Sequence, residues 1–272
     1  MNDKNASKMT SAKRIEEIKQ IIFNELKNFK AKISISNIAK FLNDPNVEIQ
    51  INMINILKDG YEVYPEEIDK LIDIMTRSYM RNQKYIAISL LTELSKIHPD
   101  YAFDKLSKII YIQSDLIEST SDAIKSVWRD NIDDLIKNIK AYWDLNKNVN
   151  LKQTALTCID TSLLSDSEII LDYLNIFIND ANPEIRFQSA LKIRDLYIKE
   201  PYVVEAKLRE WLKDNNKFSS QTIILAFKEI NKRRDSMLLD RTCIIMNNWL
   251  RNESESIKNA ASKILGIIKE QI

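Results

Sequence analysis

Glycine and proline are scarce in this sequence of 272 residues, which contains only 2 glycines and 5 prolines. Phosphate-binding loops of the P-loop or dinucleotide type need glycine, because their backbone takes conformations that other residues rarely adopt. Tight β-hairpin turns have the same requirement. The scarcity therefore excludes those nucleotide-binding loops and favours long uninterrupted helices.

Histidine and cysteine are also few. His98 is the single histidine, so a zinc site, a catalytic triad or a proton relay that used histidine would depend on it alone. It directly precedes Pro99, and a position at the start of a helix explains it better than catalysis. Cys158 and Cys243 lie inside apolar helical patterns without metal-ligand spacing, which is typical of reduced core residues in a cytosolic protein. We therefore expect no cofactor, no metal, no catalytic residue and a cytoplasmic location.

Long hydrophobic runs and an excess of one charge are absent as well. No apolar run approaches the roughly 18 to 20 residues that a membrane span needs. The 40 basic and 39 acidic residues nearly cancel, so no global field attracts polyanions. Residues 1–10, MNDKNASKMT, predict a flexible polar leader. Because no linker interrupts the remaining chain, we expect residues 11–272 to form a single domain.

An internal repeat of 34 residues runs through the sequence. Bulky side chains recur at this spacing near the end of one helix in each unit, and we call them the anchor column: Phe41, Met75, Ile109, Trp143, Phe177 and Trp211, with Trp249 following after four added residues. Helix-opening residues recur in phase with it, at Pro65, Pro99, Asp133, Ser167 and Pro201. Ser165 and Asp166 are further capping candidates beside Ser167. The repeat predicts an all-α fold of about seven antiparallel helix pairs.

Each anchor helix, or first helix, is followed by an Asn/Asp-rich turn and a second helix. Small residues recur in the second helices at Ala87, Ser121, Ala155, Ser189 and Ala261, where they would allow close packing. The segments NPEIRFQSAL from Asn182, NVNLKQTAL from Asn148 and ESIKNAASKIL from Glu255 resemble the HEAT repeat, and DPNVEIQ from Asp44 resembles it in part. The resemblance covers about residues 34–270. It implies a curved superhelix whose second helices line a concave face, and a non-enzymatic scaffold that binds a protein partner there. Tetratricopeptide repeats share the period, but they need a Leu-Gly pair that no first helix here supplies.

Eight residues are candidates for ligand binding. Lys152, Arg186 and Lys258 share one position of the repeat with Gln50. They could form a structural ladder to turn acids such as Asp180 and Asp214, or present charge to an acidic ligand. The full candidate set is Lys152, Gln153, Arg186, Trp128, Arg129, Lys232, Arg233 and Arg234.

An alternative function comes from a weaker resemblance to AlkD-like alkylpurine DNA glycosylases. The segment from Asn148 is similar to that family's Asn-Ile-Trp-Leu-x-Arg-x-Ala-Ile, but Asn150 replaces the tryptophan and Gln153 the arginine. The family's Trp-Trp-Asp would fall near Ile112, Gln113, Ser114 and Asp115, where only the aspartate remains. This resemblance implies nucleic-acid binding with a degraded catalytic site. A continuous Lys/Arg stripe with Trp128 exposed would favour nucleic acid, whereas mixed polar and apolar side chains would favour protein.

Overall fold

A computed structural model describes residues 3–42, 44, 46–159, 161 and 167–269 of the chain. Within these residues the secondary structure consists of fifteen α-helices and one short 3-10 helix, with no β-strand, so the all-α prediction is confirmed. The chain divides into two compact units, Met1–Val127 (unit 1) and Trp128–Ile272 (unit 2). The expected single domain stays a prediction.

Unit 1 contains the first seven α-helices: α1 (Asp3–Lys27), α2 (Ala31–Leu42), α3 (Val47–Tyr61), α4 (Pro65–Arg77), α5 (Arg81–Leu94), α6 (Pro99–Ile112) and α7 (Ile117–Trp128), whose last residue belongs to unit 2. The 3-10 helix Ser114–Leu116 precedes α7. Because α1 begins at Asp3, it includes most of residues 1–10, which the sequence analysis expected to be a polar leader.

Unit 2 contains the remaining eight: α8 (Ile132–Tyr142), α9 (Val149–Thr157), α10 (Ser167–Leu174), α11 (Pro183–Lys199), α12 (Pro201–Lys213), α13 (Lys217–Asn231), α14 (Ser236–Asn252) and α15 (Glu255–Lys269). Ser167 opens α10 as expected. The other two capping candidates, Ser165 and Asp166, lie outside the described residues.

Helix α4 illustrates how the sequence pattern produces a buried face. Ile68, Leu71, Ile72 and Met75 are spaced so that they fall on one side of a helix, and all four are buried. Pro65 occupies the first position of the helix, where its missing amide hydrogen costs no hydrogen bond. In unit 1, α4 packs on α3 and α5, and α5 also packs on α3 and α6.

Helices of the same kind pack on one another in unit 2. The second helix α11 packs on α9 and α13, and α13 packs on α15. The first helices α10 and α12 also pack together, and α14 packs on α15. The small residues of the second helices in both units are fully buried: Ala87, Ser121, Ala155, Ser189 and Ala261.

The anchor column lies in the core. Phe177 is completely buried, and Met75, Ile109, Trp143, Trp211 and Trp249 are each at most 6% exposed. Only Phe41 is half-buried. Large apolar side chains at this position therefore fill space between helices, as the sequence analysis predicted. Among the described residues, no helix is both long and apolar enough to cross a membrane.

Candidate functional site

The turn that precedes α11 contains Asp180, which is bonded by two of the candidate binding residues, Lys152 and Arg186. Asp180 follows the anchor Phe177, and its Oδ1 accepts a hydrogen bond from the Asn182 backbone N–H at 2.8 Å. The Asn182 side chain caps α11 by accepting a hydrogen bond from the Glu184 N–H at 2.9 Å. A short polar side chain in this position satisfies an amide that has no partner within the helix.

Arg186 is directed back at this turn. Its Nη1 donates to the backbone carbonyls of Asp180 and Ala181, at 2.8 Å each. Its guanidinium also lies over the Phe218 ring, 4.7 Å from the ring centroid. In this structure Arg186 therefore holds the turn in shape and contacts the next second helix through Phe218 rather than through Asp214.

Lys152 forms the only ladder-type ion pair of this column that the described contacts include. Its ammonium bonds the carboxylate of Asp180 in the following turn. Asp180 is 7% exposed and Lys152 is 19% exposed, so both charges are largely withdrawn from solvent. The neighbouring candidate Gln153 is half-buried on the same helix.

Further cations of α11 also bind the protein itself, a feature that the sequence analysis missed. Lys192 donates to the backbone carbonyl of Ile159, and Lys199 donates to that of Thr161. Arg194 pairs with Asp195 at 2.7 Å. Nothing in the local sequence indicated these contacts, because each lysine reaches a carbonyl more than 30 residues away.

Trp128 is buried, with 6% of its surface exposed, whereas Arg129 beside it is exposed. A tryptophan in this state offers no ring face on which a nucleotide base could stack. Lys232, Arg233 and Arg234 are all exposed in the connection between α13 and α14, and Lys232 pairs with Glu229 at 2.6 Å. Among the candidate binding residues, these three therefore form an exposed basic cluster.

The two segments that resemble a glycosylase make hydrogen bonds and an ion pair within the protein. Asn148 caps α9 by accepting a hydrogen bond from the Leu151 N–H at 3.1 Å. In unit 1, Gln113 donates to the Thr76 carbonyl at 3.0 Å and accepts from Lys84 at 2.9 Å. The remaining aspartate, Asp115, lies 3.6 Å from the Lys84 ammonium. These contacts stabilise helix ends, and the tryptophans that the family would place in these two segments are replaced by other residues in this sequence.

The accessible side chains of α11 and α13 are mixed in character. The half-buried residues include both apolar and polar side chains: Phe187, Gln188, Leu191, Gln221, Ile224 and Leu225. Together with the cations that bind the protein backbone, they do not form a continuous basic stripe.

A second polar cluster, in unit 1, joins α4 and α6. Tyr101 donates to Asp69 at 2.7 Å, and Lys105 bonds Asp69 at 2.7 Å and Asp73 at 2.8 Å. Burial by itself would raise the pKa of Asp69, but the hydrogen bonds from Lys105 and Tyr101 lower the pKa overall. Asp69 therefore stays ionised at neutral pH, which suits an ion pair between helices and not a general acid.

His98 directly precedes α6, at the helix boundary where its sequence position placed it. Its Nε2 lies 3.2 Å from Glu62 Oε1, and its ring packs on Tyr61 at a centroid distance of 5.2 Å. Within the described residues, no group of three His, Cys, Asp or Glu side chains is placed to hold a metal ion.

In comparisons with known proteins, no protein-family model matches this sequence, and no significantly similar curated protein was found. The resemblances to HEAT repeats and to AlkD-like glycosylases therefore rest on the residues of this chain.

Proposed function

We propose that this chain is a HEAT-like α-solenoid of seven helix pairs that serves as a non-enzymatic scaffold for a protein partner. The pairs would be formed by consecutive helices from α2 with α3 to α14 with α15. The 34-residue repeat and the successive packing of α9, α11, α13 and α15 support this arrangement. The cytoplasmic location stays a prediction.

We favour a protein partner over nucleic acid because the cations of the second helices bond to other groups of this chain. Duplex DNA is held chiefly by Lys and Arg side chains that neutralise phosphates. Lys152, Lys192 and Lys199 instead bind a carboxylate or backbone carbonyls of this chain. With Trp128 buried as well, the second helices resemble a protein-binding surface more than a nucleic-acid cradle.

Affinity purification with matched variants tests the scaffold proposal. Gln188→Arg with Gln221→Arg places two bulky charged side chains on the accessible parts of α11 and α13 without removing a buried group. We expect wild-type protein to retain a specific protein from native lysate and the double variant to lose it. Lys213→Glu, an exposed change on the first helix α12, is the control and should retain it. If the control also loses this protein, the proposed binding face is wrong.

The exposed cluster Lys232, Arg233 and Arg234 is the observation that favours nucleic acid as an alternative ligand. Because few other candidate cations are available, a short DNA duplex near physiological salt should bind no more tightly than about 10⁻⁶ M, the range of non-specific binding. Nanomolar affinity that is lost in Lys232→Glu with Arg233→Glu and Arg234→Glu would replace the scaffold proposal with the AlkD-like alternative. Release of a methylated purine would do the same.

A further inference from the structure

An open groove of about 560 Å³ runs between the first helices α12 and α14. Three large apolar side chains along it are strongly exposed: Tyr202 is 68% exposed, Met237 is 77% exposed and Ile244 is 64% exposed. Isolated apolar residues are common on protein surfaces, but several that line one groove indicate an interaction site.

The groove occurs where the repeat departs from its period. Helix α14 has 17 residues whereas α12 has 13, and the interval from Trp211 to Trp249 contains the four added residues. Trp249 Nε1 donates to Glu205 at 2.8 Å, which joins the C-terminal part of α14 to α12. The N-terminal half of α14 carries Met237, and its midpoint carries Ile244; both side chains are left uncovered by the described helices.

A second, smaller groove of about 290 Å³ lies on the other side of α12, against α10. Its charged lining is mainly acidic and includes Glu168, Asp172 and Glu210. The single lysine there, Lys207, lies between two carboxylates, at 2.8 Å from Asp172 and 3.0 Å from Glu210. On the same helix, Arg209 also lies between two carboxylates, Glu205 at 3.1 Å and Glu253 at 2.9 Å.

The surface formed by both grooves and by the neighbouring Arg209–Glu253 pair, which we call the α12 surface, therefore has an excess of negative charge in a protein of net charge +1. Its carboxylates are Glu168, Asp172, Glu205, Glu210, Asp240 and Glu253. Its cations are Lys207, Arg209 and Arg241. The third cation, Arg241, lies over the Tyr202 ring, 5.9 Å from its centroid. An anionic ligand would be repelled here, and a basic one attracted.

We propose that the α12 surface binds a basic amphipathic helix of a partner protein. The apolar side chains of the partner helix would pack on Tyr202, Met237 and Ile244. The Lys or Arg side chains of the partner helix would face Asp240 and Asp172. Met237 and Ile244 are about two helical turns apart, so apolar residues at i, i+3 or i+4, and i+7 of the partner would match them. This inference goes beyond the scaffold proposal, because it concerns first helices and does not depend on binding by the second helices.

Fluorescence anisotropy with two designed peptides tests the inference. One is a labelled amphipathic helix with leucine on its apolar face and lysine on its polar face, and the other has every lysine replaced by glutamate. We expect the lysine peptide to bind wild-type protein at least about tenfold more tightly than the glutamate peptide, with an affinity that falls as salt rises. Equal binding of both peptides would overturn the proposal.

Matched variants locate the site. Met237→Asp with Ile244→Asp should weaken binding of the lysine peptide at least about tenfold, and Asp240→Lys should weaken it several-fold. Ile112→Asp in unit 1 is the control, because Ile112 is 79% exposed but lies outside the α12 surface, and it should leave binding unchanged. Unchanged circular dichroism will show that the variants are folded. Undiminished binding by Met237→Asp with Ile244→Asp contradicts the proposal.

Two further outcomes separate this inference from its alternatives. Gln188→Arg with Gln221→Arg should bind the lysine peptide normally, so failure of the scaffold proposal would leave this result intact. If sedimentation shows a wild-type dimer that Ile244→Asp converts to a monomer, a second copy of this chain covers the groove and the proposed occupant is wrong.

Discussion

Before a second helix in each unit, Asp44, Asn46 and Gln50 in unit 1 make the same hydrogen bonds as Asp180, Asn182 and Arg186 in unit 2. In each, the aspartate follows a Phe by three residues and accepts a hydrogen bond from an Asn amide two residues later, at 2.9 Å in unit 1 and 2.8 Å in unit 2. In each, that Asn caps the second helix. In each, the side chain six residues after the aspartate donates to the aspartate carbonyl at 2.8 Å. That donor is Gln50 in one turn and Arg186 in the other.

In both turns a long side-chain donor bonds the aspartate carbonyl, and the donor in unit 1 is not a cation. Gln50 and Arg186 make the same bond, although only Arg186 is charged. The positively charged guanidinium of Arg186 makes a separate cation–π contact with the Phe218 ring. The repeat position that Gln50 shares with Lys152 and Arg186 therefore has a structural role in this chain, and its recurrence does not by itself indicate a ligand site.

The two turns also differ in the ion pair that the aspartate makes with a cation of another helix. Arg14 binds Asp44 at 3.2 Å, with 60% of its side chain exposed. Lys152 binds Asp180 and is 19% exposed. Water screens an exposed pair more than a buried one. The unit 2 turn is therefore expected to be the more rigid of the two.

The largest difference between the turns should appear when the preceding anchor is truncated. Phe177→Ala removes a fully buried ring and leaves a cavity, so we expect unfolding to become easier by about 3 to 5 kcal/mol. Phe41→Ala should cost less, about 1 to 2 kcal/mol, because Phe41 is half-buried. Urea denaturation measures both values. Equal losses would show that the two anchors are equivalent despite their different exposure.

The ion pairs should differ by a smaller amount. A double-mutant cycle of Lys152→Met with Asp180→Asn should give a coupling free energy of about 1 to 2 kcal/mol, reduced from the value of a fully buried pair because Lys152 is partly exposed. The matched cycle of Arg14→Met with Asp44→Asn should give less than about 0.5 kcal/mol. Raising the salt concentration should reduce the second coupling more than the first. A larger coupling in unit 1 would contradict the burial argument.

The smallest change in the free energy of unfolding is expected when the side chain that donates to the aspartate carbonyl is exchanged. Arg186→Gln should cost less than about 1 kcal/mol, because glutamine makes the equivalent bond to the aspartate carbonyl in unit 1, and only the contact with Phe218 and the second bond, to the exposed Ala181 carbonyl, are lost. Arg186→Ala should cost more, because the carbonyls of Asp180 and Ala181 lose their donor. Both free energies of unfolding are measured by urea denaturation. If glutamine and alanine cost the same, the two turns do not use equivalent donors.

The all-α fold and the buried anchor column could be predicted from the sequence because they depend on local periodicity. An apolar residue at the correct phase of a helix must face a core in order to leave water, whichever helix supplies the partner. The capping residues Asn46 and Asn182 are local in the same sense, since each binds an amide two residues away. Such features need no knowledge of how the helices are arranged.

The candidate site could be predicted only in part. The shared position of Lys152 and Arg186 was visible, but the different directions of their side chains were not. Lys152 reaches Asp180 across 28 residues, whereas Arg186 returns to its own turn. The burial of Trp128 was hidden for a similar reason, because exposure depends on every neighbouring helix.

The sequence by itself determined the helices, their pairing signals and the residues that fill the core, since hydrophobic period and turn chemistry act over a few residues. The tertiary structure decided which charges are paired and which apolar surface stays open. The four added residues before Trp249 were visible in the sequence, but only packed helices reveal that the longer α14 borders an exposed groove with α12. Ion pairs and grooves are properties of helices far apart in sequence, and their free energies depend on distance and burial that no local pattern contains.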